Sequence, residues 1–376
     1  MRIRSGGHDY EDLSFISYMS NVSYIFLDMF KLRSIDINVA DESAWVETGA
    51  ISGELYYKIA EKSKVHAFPG GVCPSVGLGG LFSGGGYGPM MRKFGLTVDN
   101  IIDARLVNVN VPFVLIRWQY VAPKLEKDIF IRATSILRKG TSQVSNKTVE
   151  VVFLGFYLGQ KESLLALLNH SFPELGLEQK YCNEMSWVNA TLFLADHPAG
   201  APTTALLDRP KGPEFFFKSR SDYVKEPIPK AAIETMWQKI LAIETLQMQW
   251  NPYGGRMSEI SQSATPFPHR AGNLFKIQYY TLWTNETDTK KYLDLSSKFR
   301  EAMTPFVSKN PREAFQNYRD LDNGANWNNQ TEIKTASVYG RKYFKDNFYR
   351  SASVKGKVDP ENFLRHEQSI PPLPNK

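Results

Sequence analysis

Two cysteines, Cys73 and Cys182, are too few for a disulfide framework, and neither has the paired cysteine and histidine spacing of a zinc site. Long apolar runs are missing too. No stretch approaches the ~18–20 consecutive hydrophobic residues of a bilayer span, and mean hydropathy is −0.34. Histidine is sparse, with six in the chain. Dense basic runs are also lacking: Lys and Arg number 45 against 39 Asp and Glu, a net charge of +6, and they are scattered. The tightest groups, Lys290-Lys291, Arg341-Lys342 and Lys355 to Lys357, are short, which argues against a nucleic-acid interface. No apolar leader precedes Ser5-Gly6-Gly7-His8, so the natural chain is expected to begin further upstream. What is present is 376 residues, 42% hydrophobic and 13% aromatic, enough for two or three domains with real cores.

Periodicity predicts strands over 25–28 and 44–48, a break at Gly49 and a helix over 52–62, with Leu55 and Ile59 one turn apart. Beyond residue 110, strands are expected over 150–158 and 274–283. Helices are expected over 161–169, 229–246 and 287–303, and Ile233, Trp237, Ile240 and Leu241 give the second of these one buried face. Residues 198–213, with four prolines, read as an exposed loop, and Tyr339, Tyr343 and Phe348 have near-helical spacing. There is no internal repeat. Asn-X-Ser/Thr acceptors stand at Asn21, Asn146, Asn169, Asn189, Asn285 and Asn329, which favours a secreted glycoprotein over chance recurrence.

Nine of the 26 glycines fall between Gly70 and Gly88, denser than a packed helix or strand would use. Glycine turns let backbone amides approach phosphate oxygens, so a dinucleotide is the natural guest. The pattern is not a Rossmann fingerprint, because Phe82 occupies the third glycine position after Gly77 and Gly79. A tightly packed turn without ligand is the structural alternative. Cys73 lies at the front of this segment and His8 in a separate glycine turn; alone, each would be unremarkable.

Together the motifs carry more. Arg-Ser-Gly-Gly-His-Asp-Tyr (4–10), Phe-Pro-Gly-Gly-Val-Cys-Pro-Ser-Val-Gly-Leu-Gly-Gly (68–80), Phe-Ser-Gly-Gly-Gly-Tyr-Gly (82–88) and Asp-Asn-Ile-Ile-Asp-Ala (99–104) resemble the plant berberine bridge enzyme-like family of FAD-linked oxidases. The likeness continues at 184–187, 266–272, 317–322 and 359–372, covering nearly the whole chain. It implies an α+β fold: a vanillyl-alcohol-oxidase (PCMH)-type FAD-binding domain over 1–110, truncated. A substrate domain over 111–336 follows, its antiparallel sheet backed by helices, and a segment over 337–376 returns to the FAD domain. It implies FAD held bicovalently, through the His8 ring and the Cys73 thiolate, with Ser5, Gly6, Gly7, Gly71, Val76, Gly77, Gly79, Gly80, Ser83, Gly84 and Gly85 lining the cofactor.

Oxidising an alcohol by hydride transfer requires a base near the hydroxyl, and a free phenol titrates too high unless its phenolate is supported. On the strand over 274–280, Lys276, Gln278 and Tyr280 share one face by period two. A surface strand with polar residues facing water is the plain alternative. The resemblance implies that Lys276 and Gln278 support an active-site tyrosine, that Tyr318 or Tyr87 is the base, and that Tyr10 lines the pocket. Glu259, in Met257-Ser258-Glu259, is the second candidate base. Val76 matches a position governing dioxygen access, which points to an oxidase releasing H2O2. The partners implied are a small phenolic alcohol or carbohydrate and O2, in a monomer that is secreted or located in cell wall or vacuole, with neither nucleic acid nor membrane.

The sequence also departs from the family pattern. After 103–110 a helix and a glycine-rich segment are missing, Leu81 replaces a usual histidine, Asp12 a usual glycine, and Phe315 a common tyrosine. These losses leave open a catalytically inactive remnant that does not load FAD. A carbohydrate-binding module using exposed Tyr and Trp rests on composition alone.

Overall fold

The computed structural model describes residues 2–18, 24, 26–40, 42–99, 111–142, 145–209, 215–327 and 332–373. The expected strand at 25–28 is present as β2, apart from residue 25, which lies outside the described set, as do Asn21, Asn329 and most of the 99–104 motif.

Strand β1 (Arg2–Arg4) pairs in parallel with β2 (Phe26–Asp28), and β3 (Ile35–Asn38) pairs antiparallel with β4 (Ser43–Val46). Helix α1 (Ser52–Lys62) spans the residues expected, because Glu54 reaches back to the Ile51 N–H at 2.8 Å while Leu55 and Ile59 bury against Ile37 and Leu78. The glycine-rich segment is not loop throughout. It contains α2 (Leu78–Ser83) and is followed by α3 (Met91–Phe94). Helix α4 (Val111–Val121), which periodicity had not marked, buries Val114, Leu115 and Trp118.

The second half is built on a five-stranded antiparallel sheet. Its strands are β5 (Ile129–Ser142), β6 (Ser145–Tyr157), β7 (Phe216–Val224), β8 (Leu246–Pro252) and β9 (Phe275–Trp283), in the order β6-β5-β8-β9-β7. On one face, Ala133, Phe153, Met248, Ile277 and Tyr279 form the main core with side chains of α4, α5 (Lys161–Ser171), α7 (Lys230–Ile243) and α9 (Thr289–Ala302), past the short α6 (Trp187–Leu194) and α8 (Arg256–Glu259). The other face turns Arg132, Ser219, Lys276 and Gln278 inward, buried but polar. Thus Lys276 and Gln278 do share a face, and it does not meet water.

Two expectations need correction. The helix predicted over 229–246 stops at Ile243, because Glu244 takes φ +68° and Leu246 enters β8. The 198–213 segment is not simply exposed: a 3-10 turn at Thr203–Leu207 buries Leu206 beside Tyr56 and Leu192. At the C-terminus, α10 (Ile333–Phe344) and α11 (Asn347–Val358) bury Tyr339, Tyr343 and Phe348 together. The chain then returns to its first strand, where buried Glu367 pairs with Arg2 at 3.0 Å and accepts the Tyr18 N–H at 3.0 Å. Among the described residues, no helix is long and apolar enough to cross a membrane, and no cluster of His, Cys, Asp and Glu could hold a metal ion.

Candidate active site

Two glycine turns bring His8 and Cys73 to one region. A β-carbon on Gly6 would collide with the Gly77 backbone, and one on Gly77 with Gly6 and the Ser5 hydroxyl, so the turns pack backbone to backbone. The His8 Nε2 lies 2.8 Å from Ser75 Oγ, and both His8 and Cys73 reach the surface. Surrounding protein lowers the His8 imidazole and raises the Cys73 thiol, the latter partly offset by the Arg132 charge.

The same close packing accounts for three of the other glycines expected at the cofactor. Gly79 abuts the Thr48 hydroxyl, Gly84 abuts the Asn317 amide, and Gly85, at φ +96°, lies against Leu96 and Phe267. Ser5 donates to the Thr48 carbonyl at 2.5 Å and Ser83 to the Gly79 carbonyl at 2.6 Å, so these hydroxyls serve the fold itself. Gly71 and Gly80 have room for a side chain, and Gly80 has no neighbour within 4 Å. Half-buried Val76 accepts the Ser52 N–H at 2.9 Å, three residues after Cys73. Leu81, at the position of a usual histidine, is buried in the core that Val76 flanks.

Beyond Cys73 lies a wall of aromatic rings. Tyr87 follows the glycines, Tyr318 arrives on the loop before α10, and Tyr10 follows His8. The Tyr87 and Tyr318 hydroxyls are hydrogen-bonded to each other, Tyr10 stacks on Tyr318 with centroids 5.6 Å apart, and Phe315 stands edge-on to Tyr318 at 5.0 Å. From the sheet, the Lys276 Nζ reaches 3.3 Å from the Tyr87 ring centroid, 3.7 Å from Phe315 and 4.3 Å from Tyr318. It has no hydrogen-bond partner and is 0% exposed. Burial, then the Arg132 charge, hold this amine well below its ordinary pKa. Gln278 donates to Tyr10 at 3.4 Å and to Ser219 at 3.0 Å.

Burial raises the pKa of both Tyr87 and Tyr318, and a second basic side chain besides Lys276 acts on them. Arg132 opposes the rise at both, and in addition Tyr87 is lowered by the Tyr318 hydrogen bond while Tyr318 is raised by it. Lys276, its amine held well below the ordinary range, lies over the ring faces, and Gln278 is engaged with Tyr10. Arg132 was missed by sequence reasoning; a charge between Ile131 and Ala133 in an apolar strand was the available signal. Asn251 fixes it by accepting from its Nε at 2.8 Å. Glu259 is exposed, paired with Arg256 at 3.0 Å and with Lys127, which removes it as a buried base.

Tyr318 is held on both sides. Asn317 donates to the Leu81 carbonyl at 3.2 Å, Arg319 binds Asp9 at 2.9 Å, and buried Asp320 meets Lys218 at 3.0 Å and Arg220 at 3.2 Å. The donor set fits FAD: two exposed nucleophiles on adjoining turns, open backbone at Gly71 and Gly80, and a partnerless buried amine among aromatic faces. A thiolate at Cys73 would raise Tyr10, Tyr87 and Tyr280.

The chain is similar to known proteins along its length. Residues 1–110 match the FAD binding domain family and residues 314–371 the family of berberine and berberine-like proteins. Berberine bridge enzyme-like 17 of Arabidopsis thaliana is 47% identical, covering 99% of this chain and 80% of its own. The structure of BBE-like #28 from the same plant superposes with TM-score 0.89 at 39% identity over 99% of this chain and 87% of its own. Phl p 4, a grass pollen allergen with glucose dehydrogenase activity, superposes with TM-score 0.88 at 36% identity, covering 100% of this chain and 86% of its own, and its isoleucine-to-valine variant is a glucose oxidase. The alignment with the 47% identical relative runs over 427 positions, more than the 376 residues here, so the relatives carry internal residues that this chain lacks. The chain belongs to the berberine bridge enzyme-like family of FAD-linked oxidoreductases.

Proposed function

We propose that this protein oxidises a hydroxyl group of a small alcohol, phenolic or carbohydrate, with O2 as acceptor. The hydroxyl pair of Tyr87 and Tyr318 beside Arg132, Lys276, His8 and Cys73 carries this reading. FAD, when bound, would supply a two-electron acceptor for hydride, with H2O2 as the product of its reoxidation by O2. His8 and Cys73 would hold the cofactor covalently; a neutral imidazole and a thiolate are nucleophiles suited to an electron-poor ring. Tyr87 Oη takes the substrate hydroxyl proton. Arg132 and the donated Tyr318 hydrogen bond favour the Tyr87 phenolate that accepts this proton and becomes the neutral phenol, Lys276 packs on its ring face, and Tyr10, fixed by Gln278, closes the pocket wall. Val76 leaves dioxygen a path; the isoleucine-to-valine exchange that accompanies oxidase activity in Phl p 4 supports the importance of such a position. The protein acts as a secreted monomer, in keeping with the exposed sequons at Asn169, Asn189 and Asn285.

The test is a flavin absorption band that survives acid precipitation, followed by rapid-mixing reduction with phenolic alcohols and with sugars under nitrogen, then H2O2 release in air. A colourless protein with unmodified His8 and Cys73 peptides would instead support the inactive remnant, a reading favoured by the internal residues that the relatives have and this chain lacks.

A further inference from the structure

At the outer edge of the sheet, away from the tyrosine pocket, a groove of about 600 Å³ is lined by Phe216, Glu286, Thr287, Leu293 and Asp294, among others. Its aromatic lining residue, Phe216, belongs to a stack of rings. Phe216 pairs across the strands with Trp283, their rings stacked at 6.1 Å and 14°, and Trp283 stacks in turn on Tyr292 at 6.0 Å and 22°. Trp283 is 6% exposed, whereas Phe216 is 42% exposed and offers its ring to solvent. Glu286 and Thr287 belong to the acceptor Asn285-Glu286-Thr287, so this sequon forms part of the groove. Asn285 itself is exposed, and its side-chain oxygen accepts the Thr287 N–H at 3.1 Å, which leaves Nδ2 pointing away from that bond.

The other described acceptors with resolved side-chain surroundings lack this setting. Asn169 lies in the last turn of α5. Asn189 lies within α6, and its Thr191 is buried with the hydroxyl bonded to the Trp187 carbonyl at 3.1 Å.

We propose that Asn285 carries an N-linked glycan whose first sugars dock in this groove, the apolar face of a pyranose ring on Phe216 and its hydroxyls toward Glu286 and Asp294. Attachment forms an N–C bond at Asn285 Nδ2 and breaks the sugar–phosphate bond of a lipid diphosphate-linked oligosaccharide; the amide proton is lost and the lipid diphosphate departs. Docking covers an aromatic ring that is otherwise wet at the sheet edge. The inference rests on the secretory reading above.

The test is peptide mapping of the full-length protein made in plant cells, with glycans released by peptide N-glycosidase in 18O-water, alongside Phe216→Ala made the same way. Occupied Asn285 is expected, with release from the native fold roughly fivefold faster in Phe216→Ala, the factor that about 1 kcal/mol of lost ring contact corresponds to. Release at Asn169 should be unchanged by the substitution. An unmodified Asn285 alongside occupied Asn169 or Asn189 overturns the proposal and leaves secretion standing. No occupied sequon anywhere overturns the secretory reading and this proposal with it. Occupied Asn285 with equal release rates in both proteins refutes the docking.

Discussion

Lys276→Met should stabilise the protein while impairing it. The Lys276 amine is fully buried, faces three aromatic rings and has no hydrogen-bond partner. If it were charged, contacts with the ring faces would return about 0.5–2 kcal/mol each, against a desolvation penalty of several kcal/mol and repulsion from Arg132. Neutrality wins, as the strong downward shift from 10.5 indicates. A neutral unpaired amine still costs ~1–3 kcal/mol, which methionine of similar length avoids. The pH dependence has a definite sign. Between the depressed folded value and 10.5, only the unfolded chain binds this proton, so wild-type stability rises with pH, by up to about 1.4 kcal/mol per unit. Lys276→Met lacks that slope, and its advantage should be larger at pH 7 than at pH 9. Urea unfolding of both proteins across that range, with turnover measured in parallel, reads the effect. A variant less stable than wild type at pH 7, or a stability gap independent of pH, would show that the rings hold an ammonium and refute the reasoning.

Tyr87→Phe should lower the rate of flavin reduction by about 10²–10⁴-fold, with Tyr318→Phe less severe, and Arg132→Met should move the rise of rate with pH to higher pH; rapid-mixing kinetics from pH 6 to 10 would check all three. Burial raises Glu313, but His269 at 2.9 Å with Lys225 and Lys345 outweighs it and holds the carboxyl at about 2. Because that folded value is depressed from 4.5, the group contributes about 3 kcal/mol that is present above pH 4.5 and lost as pH falls toward 2, and Glu313→Gln should lose it at neutral pH in denaturant titrations. Asp12 adopts φ +55° where the resemblance shows glycine, so Asp12→Gly should gain about 1 kcal/mol, read as a higher unfolding temperature.

The sequence disclosed α1, α5, α9 and β9 because each has one apolar stripe at its own period, and α1 adds a carboxylate at the capping position. It did not disclose β5 or β8. These central strands carry Arg132 and Asn251 on a face that is polar yet buried, a combination that alternation alone reads as surface or not at all. Glycine density announced a site but not how each glycine is used: Gly77 lets two turns touch, Gly84 admits the Asn317 amide, and Gly80 has open space, a distinction that composition cannot make. His8 and Cys73 were joined by family likeness; their separation in sequence held no information about it. Direction of support for the tyrosines was also out of reach, since it depends on which side of the ring pair Arg132 stands and on Lys276 being too buried to keep its proton.

The placement of Tyr318 explains why so many charges are buried beside it. Its three neighbours bind three distant parts of the chain: Asn317 the α2 carbonyl of Leu81, Arg319 the Asp9 carboxylate, and Asp320 the Lys218 and Arg220 cations of β7. A single apolar contact would let the loop slide, whereas ion pairs with no water to replace them accept one geometry, and breaking one partner leaves an uncompensated buried charge worth about 3–5 kcal/mol. Asp9 lies one residue after His8, and α2 lies between Cys73 and Tyr87. Two of the three contacts that fix this hydroxyl against its partner on Tyr87 are thus made next to the glycine turns that carry His8 and Cys73, and a distortion of either turn reaches the proton-accepting pair directly.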